Sequence, residues 1–168
     1  VQPTHLMNGY EYGDLVKDLE KRAGDFESVK IGAPLLTDGE DFATVAQAMV
    51  DAASEYDDGK TAICYMGHGT EAASNAIYAK MQQVLTDGGH TNYFVGTVEA
   101  APTLEDVIKL VQAGGYERVV LRPMMIVAGD HANNDMARDE EDSWKSTFEA
   151  NGFQDMVICE VKGLGELE

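Results

Sequence analysis

Three apolar runs, each closing on a turn and each followed by a helical pattern, constrain this chain more than any other feature. Residues 61–66 lead through a glycine turn to a pattern over 74–87, stopped by Gly88-Gly89. Residues 93–98 lead to one over 103–113, opened by Pro102-Thr103 and stopped by Gly114-Gly115. Residues 118–126 lead through a polar segment to one over 142–151, ended by Gly152, and Val157 to Val161 reads as a last strand. Near-continuous apolar strands alternating with amphipathic helices predict an α/β fold with parallel sheets flanked by helices on both faces.

The first third of the chain carries the same alternation less clearly. Val1 to Leu6 reads as the end of a strand, Tyr10 to Ala23 as a helix stopped by Gly24, and Val29 to Leu36 as a strand that Pro34 ends or confines to an edge. Thr37-Asp38-Gly39-Glu40 has capping-box spacing. Phe42, Val45, Ala46, Met49, Val50 and Ala53 then repeat at helical steps. Asp57-Asp58-Gly59 closes that helix and marks the expected boundary between residues 1–58 and residues 59–168.

The ends of the three runs carry the candidate chemistry. His68 follows the first, within Met66-Gly67-His68-Gly69-Thr70-Glu71; Glu99 follows the second; His131 follows the third after Ala128-Gly129-Asp130. The separations are 31 and 32 residues, close to one strand-helix unit. Each unit thus delivers one polar group to the carboxyl rim of the sheet, where open α/β folds bind ligands. Two imidazoles and a carboxylate suit a divalent transition metal, and a histidine there can also take a proton near neutral pH.

Composition narrows the partners. A formal net charge of −18 offers no basic face to a nucleic acid. No apolar run approaches the roughly 18 residues that span a bilayer, so no membrane insertion is expected, and no signal peptide is visible. A cytoplasmic location is the expectation, although the chain starts at Val1. Cys64 and Cys159 lie in apolar runs and read as buried free thiols. Oligomeric state is left open.

Several stretches resemble the anaerobic sirohydrochlorin cobaltochelatases, a class II chelatase-like family. They are Met66-Gly67-His68-Gly69, Val98-Glu99, and above all Leu121-Arg122-Pro123-Met124-Met125-Ile126-Val127-Ala128-Gly129-Asp130-His131-Ala132-Asn133-Asn134-Asp135-Met136-Ala137. Asp142-Ser143-Trp144-Lys145, Gly163-Leu164-Gly165-Glu166, Val1-Gln2, His5, and Gly9 with Glu11-Tyr12 fit the same family. The resemblance implies two similar α/β halves with a cleft between them. It implies a lyase forming nitrogen–metal bonds, inserting Co²⁺ into the tetrapyrrole sirohydrochlorin in cobalamin biosynthesis without a nucleotide. Fe²⁺ and Ni²⁺ share the same ligand chemistry. Carried over, His68 is metal ligand and proton acceptor, and Glu99 and His131 complete the metal site. Family members begin with further strand-helix units and end with a helix, so the resemblance also implies that residues 1–58 are the remainder of a first half.

Other readings stand beside this one. A non-catalytic metal or tetrapyrrole carrier would use the same three ligands. Gly67-His68-Gly69-Thr70-Glu71-Ala72 also matches a dinucleotide fingerprint, although the expected acid falls about 20 residues on and Glu99 is further. A polycarboxylate substrate needs local cations in so acidic a chain, with Arg122, Arg138 and Lys145 as candidates. His5 and His90 read as surface residues, Met124 and Met125 as core, Trp144 as packing, and Asp130 as the cap of the following turn.

Overall fold

The computed structural model describes residues 1–158 and 162–167. Helices α1 (Tyr10–Arg22) and α2 (Gly39–Ala53) precede strand β1 (Thr61–Gly67). There follow α3 (Ala76–Asp87), β2 (Tyr93–Thr97), α4 (Leu104–Ala113), β3 (Arg118–Pro123), α5 (Trp144–Ala150) and β4 (Asp155–Ile158). The strands form one parallel sheet in the order β2-β1-β3-β4. The α/β class with a parallel sheet between helices is therefore as expected.

The pleat of β1 sorts the core into two layers. Ile63 and Tyr65 face α2 and α3, packing with Phe42, Met49, Tyr78, Met81 and Leu85. Ala62, Cys64 and Met66 face the other way, toward Val107 and Val111 of α4 and Trp144 and Phe148 of α5. A strand buried on both faces needs apolar residues at every position, which is why its sequence shows no alternation. Burial pushes the Cys64 thiol up, so it stays a protonated core residue. Cys159 lies outside the described residues, as does part of the strand expected over Val157 to Val161.

Local chemistry fixes the helix starts. The Asp38 side chain accepts from the Glu40 and Asp41 amides, while Asp41 accepts from the Asp38 amide. The capping box is therefore Asp38 with Asp41, one residue later than the Thr37–Glu40 spacing suggested. Thr103 and Asp106 cap α4 in the same way. Ser143 caps α5, so that helix starts at Trp144 and the acidic residues 139–142 lie exposed before it.

Two expectations are corrected. The segments expected as strands over Val1 to Leu6 and Val29 to Leu36 are not strands. They run side by side with isolated hydrogen bonds, Gly32 N to Val1 O at 2.8 Å and Leu36 N to Leu6 O at 2.9 Å. Pro3 and Pro34 remove backbone donors from both, so no continuous ladder can form. The strand expected over 118–126 ends at Pro123. Beyond it, the carbonyls of Met125 and Ile126 are taken by the amides of Leu164 and Gly165 at 2.6 and 3.0 Å.

Candidate metal centre

The chain leaves β1 for β2 on one side and returns to β3 on the other, so a topological switch point lies at the carboxyl end of β1. Gly67 ends that strand against the ring of Tyr78, and Gly69 turns the chain at φ +88°. His68 stands between them on the rim.

Glu99 reaches His68 by a continuation of the β1–β2 pairing. Gly67 lies opposite Thr97, the Val98 amide donates to the Gly67 carbonyl at 3.0 Å, and the Glu99 amide donates to the His68 carbonyl at 2.9 Å. Carboxylate and imidazole then stand 3.6 Å apart, Glu99 Oε2 to His68 Nδ1. His131 arrives from the loop after β3, its ring centroid 4.3 Å from that of His68 and its plane nearly perpendicular at 89°. Each of the three offers a ligand atom, and these atoms lie within 4.8 Å of one another. The spacing predicted from three strand ends is thus realised at one point.

Other groups hold this arrangement, and the sequence did not single them out. The Gly69 N–H donates to the Tyr78 hydroxyl at 3.2 Å, and burial pushes that phenol up from its ordinary value. Asn75 accepts from the Thr70 amide at 3.1 Å and donates to the Ala101 carbonyl at 2.7 Å, tying the loop after β1 to the loop after β2. On the other side His131 Nδ1 hydrogen-bonds the Asp135 carboxylate. Residues Ala132–Met136 form a single π-helical turn there. Such turns are uncommon and recur at functional sites.

The centre opens into a cavity of about 740 Å³, walled by the segment Thr4–Glu11 on one side and by His68, Tyr78, Glu99, Met124, Val127 and His131 among others. His5 lines it, edge-on to Tyr12 at 5.9 Å, so it is a cavity residue and not a surface one. Met124 is buried in the core as expected, and it also reaches the cavity wall. His90 stacks edge-on against Tyr93 at 5.4 Å, remote from the cavity lining. Asp130 accepts from the Asn134 side chain, and no side-chain hydrogen bond caps the turn, so the cap expected of Asp130 is not formed.

The candidate cations fall elsewhere. Among the described residues no lysine or arginine lines the cavity. Arg122 is buried and donates to the Ala52 carbonyl at 2.7 Å, Arg138 pairs with Glu140, and Lys145 pairs with Asp139. No helix among the described residues is long and apolar enough to cross a membrane.

Fold and rim together define an α/β protein with two histidines and one carboxylate, a set that could hold a cation, gathered at its switch point. The chain belongs to the cobalt chelatase (CbiK) family, whose model matches residues 1–168. It is 34% identical over 170 residues to the sirohydrochlorin cobaltochelatase CbiKC of Nitratidesulfovibrio vulgaris, a match covering 100% of this chain and 59% of that protein. It is also 34% identical over 166 residues to a sirohydrochlorin cobaltochelatase of Salmonella typhimurium, covering 99% of this chain and 61% of that one. The chain thus spans about three fifths of the length of these curated relatives. In fold it is similar to SirB from Bacillus subtilis, solved with Fe³⁺, at a TM-score of 0.64 and 15% identity, over 98% of this chain and 64% of that one.

Proposed function

We propose that this chain carries the metal-handling half of a sirohydrochlorin cobaltochelatase, with His68, Glu99 and His131 as the ligands that receive Co²⁺. The meeting of these three side chains at one rim carries the reading. Family membership and the names of its two relatives support the choice of reaction. Residues 1–58 are read as the remainder of a first α/β half and residues 59–168 as the second. The cavity walls support this, since Thr4–Glu11 come from one and the three ligands from the other.

The chemistry follows from the donor set. Imidazole and carboxylate bind Co²⁺ firmly enough to hold it, yet without the grip of thiolate, so ring nitrogens can displace them. Insertion releases two pyrrole N–H protons for each Co²⁺ taken up. His68, on the cavity wall and half exposed, accepts one of them as its bond to the metal is given up, and the other passes to water in the open cavity. Tetrapyrrole is the partner; nucleotide, nucleic acid and membrane play no part in this reading, and the location is cytoplasmic. Fe²⁺ and Ni²⁺ compete for the same ligands. A dinucleotide module gains little support, because its fingerprint expects the acid about 20 residues on, Glu99 is further, and His131 is left without a role.

The test is a metal-insertion assay with sirohydrochlorin and Co²⁺, followed by the change in tetrapyrrole absorption. Turnover in the wild-type chain and none in His68→Ala supports the reading. Tight Co²⁺ or tetrapyrrole binding without turnover assigns the chain to the carrier class instead.

A further inference from the structure

We infer that Asp135 is a positioning residue for the metal centre: it accepts the hydrogen bond of His131 Nδ1–H and so leaves Nε2 as the nitrogen of that ring free to bind the ion shared with His68 and Glu99. The inference rests on the metal-site reading above and adds to it a group outside the ligand set. Among the described residues, the cluster whose ligand atoms all lie within 4.8 Å contains His68, Glu99 and His131, and not Asp135.

The two histidines face the same problem. A neutral imidazole binds a metal through one nitrogen only if the other carries the proton, and a free ring exchanges between the two forms. In His68 the Nδ1 lies 2.8 Å from the Gly69 carbonyl, an acceptor fixed in its own turn. A carbonyl can only accept, so the proton sits on Nδ1 and Nε2 is left free. In His131 the same nitrogen meets the Asp135 carboxylate, which likewise only accepts when ionised. By the same reasoning Nε2 is the unprotonated nitrogen of both rings, each held by a partner from its own loop.

The backbone makes the second partnership possible. Asp135 follows His131 by four residues within the turn that runs through Ala132–Met136. Ala132 and Met136 are buried and anchor that turn, while His131 and Asp135 lie together on its open side, with side chains 36% and 41% exposed. A carboxylate also polarises the ring more than a carbonyl does. Loss of such an outer partner typically weakens metal binding about 10–100-fold.

The test uses the full chain with Co²⁺ alone as probe, titrated by its visible absorption and by calorimetry. Asp135→Ala is expected to weaken Co²⁺ binding about 10–100-fold. Asp135→Glu keeps an acceptor-only carboxylate and is expected to retain more Co²⁺ affinity than Asp135→Ala. In metal-free protein, the imidazole nitrogen spectrum should show His131 protonated on Nδ1 in wild type and in Asp135→Glu, and as a mixture of tautomers in Asp135→Ala. A His131 tautomer unchanged in Asp135→Ala, or Co²⁺ affinity equal to wild type, overturns the proposal. So does Asp135→Ala losing as much affinity as His131→Ala, since Asp135 would then be a ligand itself. Wild-type protein that binds no Co²⁺ sinks the metal-site reading instead, and the nitrogen spectrum still decides whether Asp135 fixes the ring.

Discussion

His68 and His131 meet edge to face, 4.3 Å between ring centroids, although they belong to the loops after different strands. Nothing but the sheet brings them together, so the site is a product of strand order and not of a local motif. Replacing His68 by Ala should therefore leave the fold intact while removing the proposed ligand and base. The side chain is 45% exposed and packs in no core layer. The melting temperature is expected to move by no more than about 2 °C, as for surface changes of within ±0.5 kcal/mol. Insertion should fall by at least about 100-fold. Calorimetry and the absorption assay read the two effects separately, and retained turnover removes His68 from the mechanism.

Gly69 offers a sharper geometric test. Its φ of +88° disfavours any side chain, and a Cβ there would lie 2.9 Å from the Ala100 amide nitrogen. Gly69→Ala should cost about 1–2 kcal/mol for the left-handed backbone alone, plus whatever the clash adds. Because Gly69 joins the His68 and Glu99 loops, Co²⁺ affinity should fall with stability. Gly59, at φ +71° with nothing within 4 Å, lies at the opposite end of β1 and serves as control. Gly59→Ala should lower the melting temperature and spare Co²⁺ binding. Equal affinity losses in both variants would show that the site responds to stability alone.

Tyr78 supports the same turn from below. Its hydroxyl accepts the Gly69 N–H and its ring fills the space that a side chain at Gly67 would take. Tyr78→Phe keeps the ring and removes the acceptor, leaving a buried amide unpaired at a cost of about 1–3 kcal/mol. The expected signature is a lower melting temperature with weaker Co²⁺ binding, because the freed turn no longer fixes His68. A variant that melts earlier yet binds Co²⁺ as tightly as wild type confines Tyr78 to packing.

What the sequence revealed and what it hid divide along a physical line. An apolar run, a glycine and a polar residue form a local pattern, so His68, Glu99 and His131 could each be placed at a strand end. The family resemblance pointed to the same residues and to the chelatase fold. Residues whose role depends on side-chain direction were not legible. Asn75 and Tyr78 reach the site only because α3 opens at Ala76, and Asp135 only because a π-helical turn follows His131. The segments Val1 to Leu6 and Val29 to Leu36 have the apolar content of strands, but Pro3 and Pro34 interrupt the donors of a ladder. Arg122 looked available for substrate, but β3 points it at the Ala52 carbonyl.

Alkaline stability follows from a second tyrosine. The Tyr93 hydroxyl donates to Asp57 at 2.9 Å, and burial first, then the Asp57 carboxylate, push its ionisation up from the ordinary 10.0. A group raised in the folded state contributes stability that is complete below its unfolded value. That contribution is lost as pH rises toward and through the folded one. Unfolding free energy should thus fall as pH climbs above about 10. Tyr93→Phe should be less stable at pH 7, from the lost hydrogen bond, but flatter in that alkaline window. An identical slope in both proteins would assign the alkaline loss elsewhere.

The metal itself should stabilise the fold without being needed for it. The three candidate ligands sit on the rim, outside both core layers, so the buried residues around β1 hold the sheet whether or not an ion is bound. This differs from small zinc domains, which have no core apart from the metal. Metal-free protein should therefore melt in one cooperative step. At Co²⁺ concentrations of 100 times Kd, linkage adds about 2.7 kcal/mol. For a chain of this length that is a rise of about 5–10 °C. His131→Ala and Glu99→Gln should each show most of that increment lost, and a chelator should return wild type to its metal-free value. A rise of the same size in His131→Ala would place the stabilising ion at another site, and failure of metal-free protein to fold would make the centre structural.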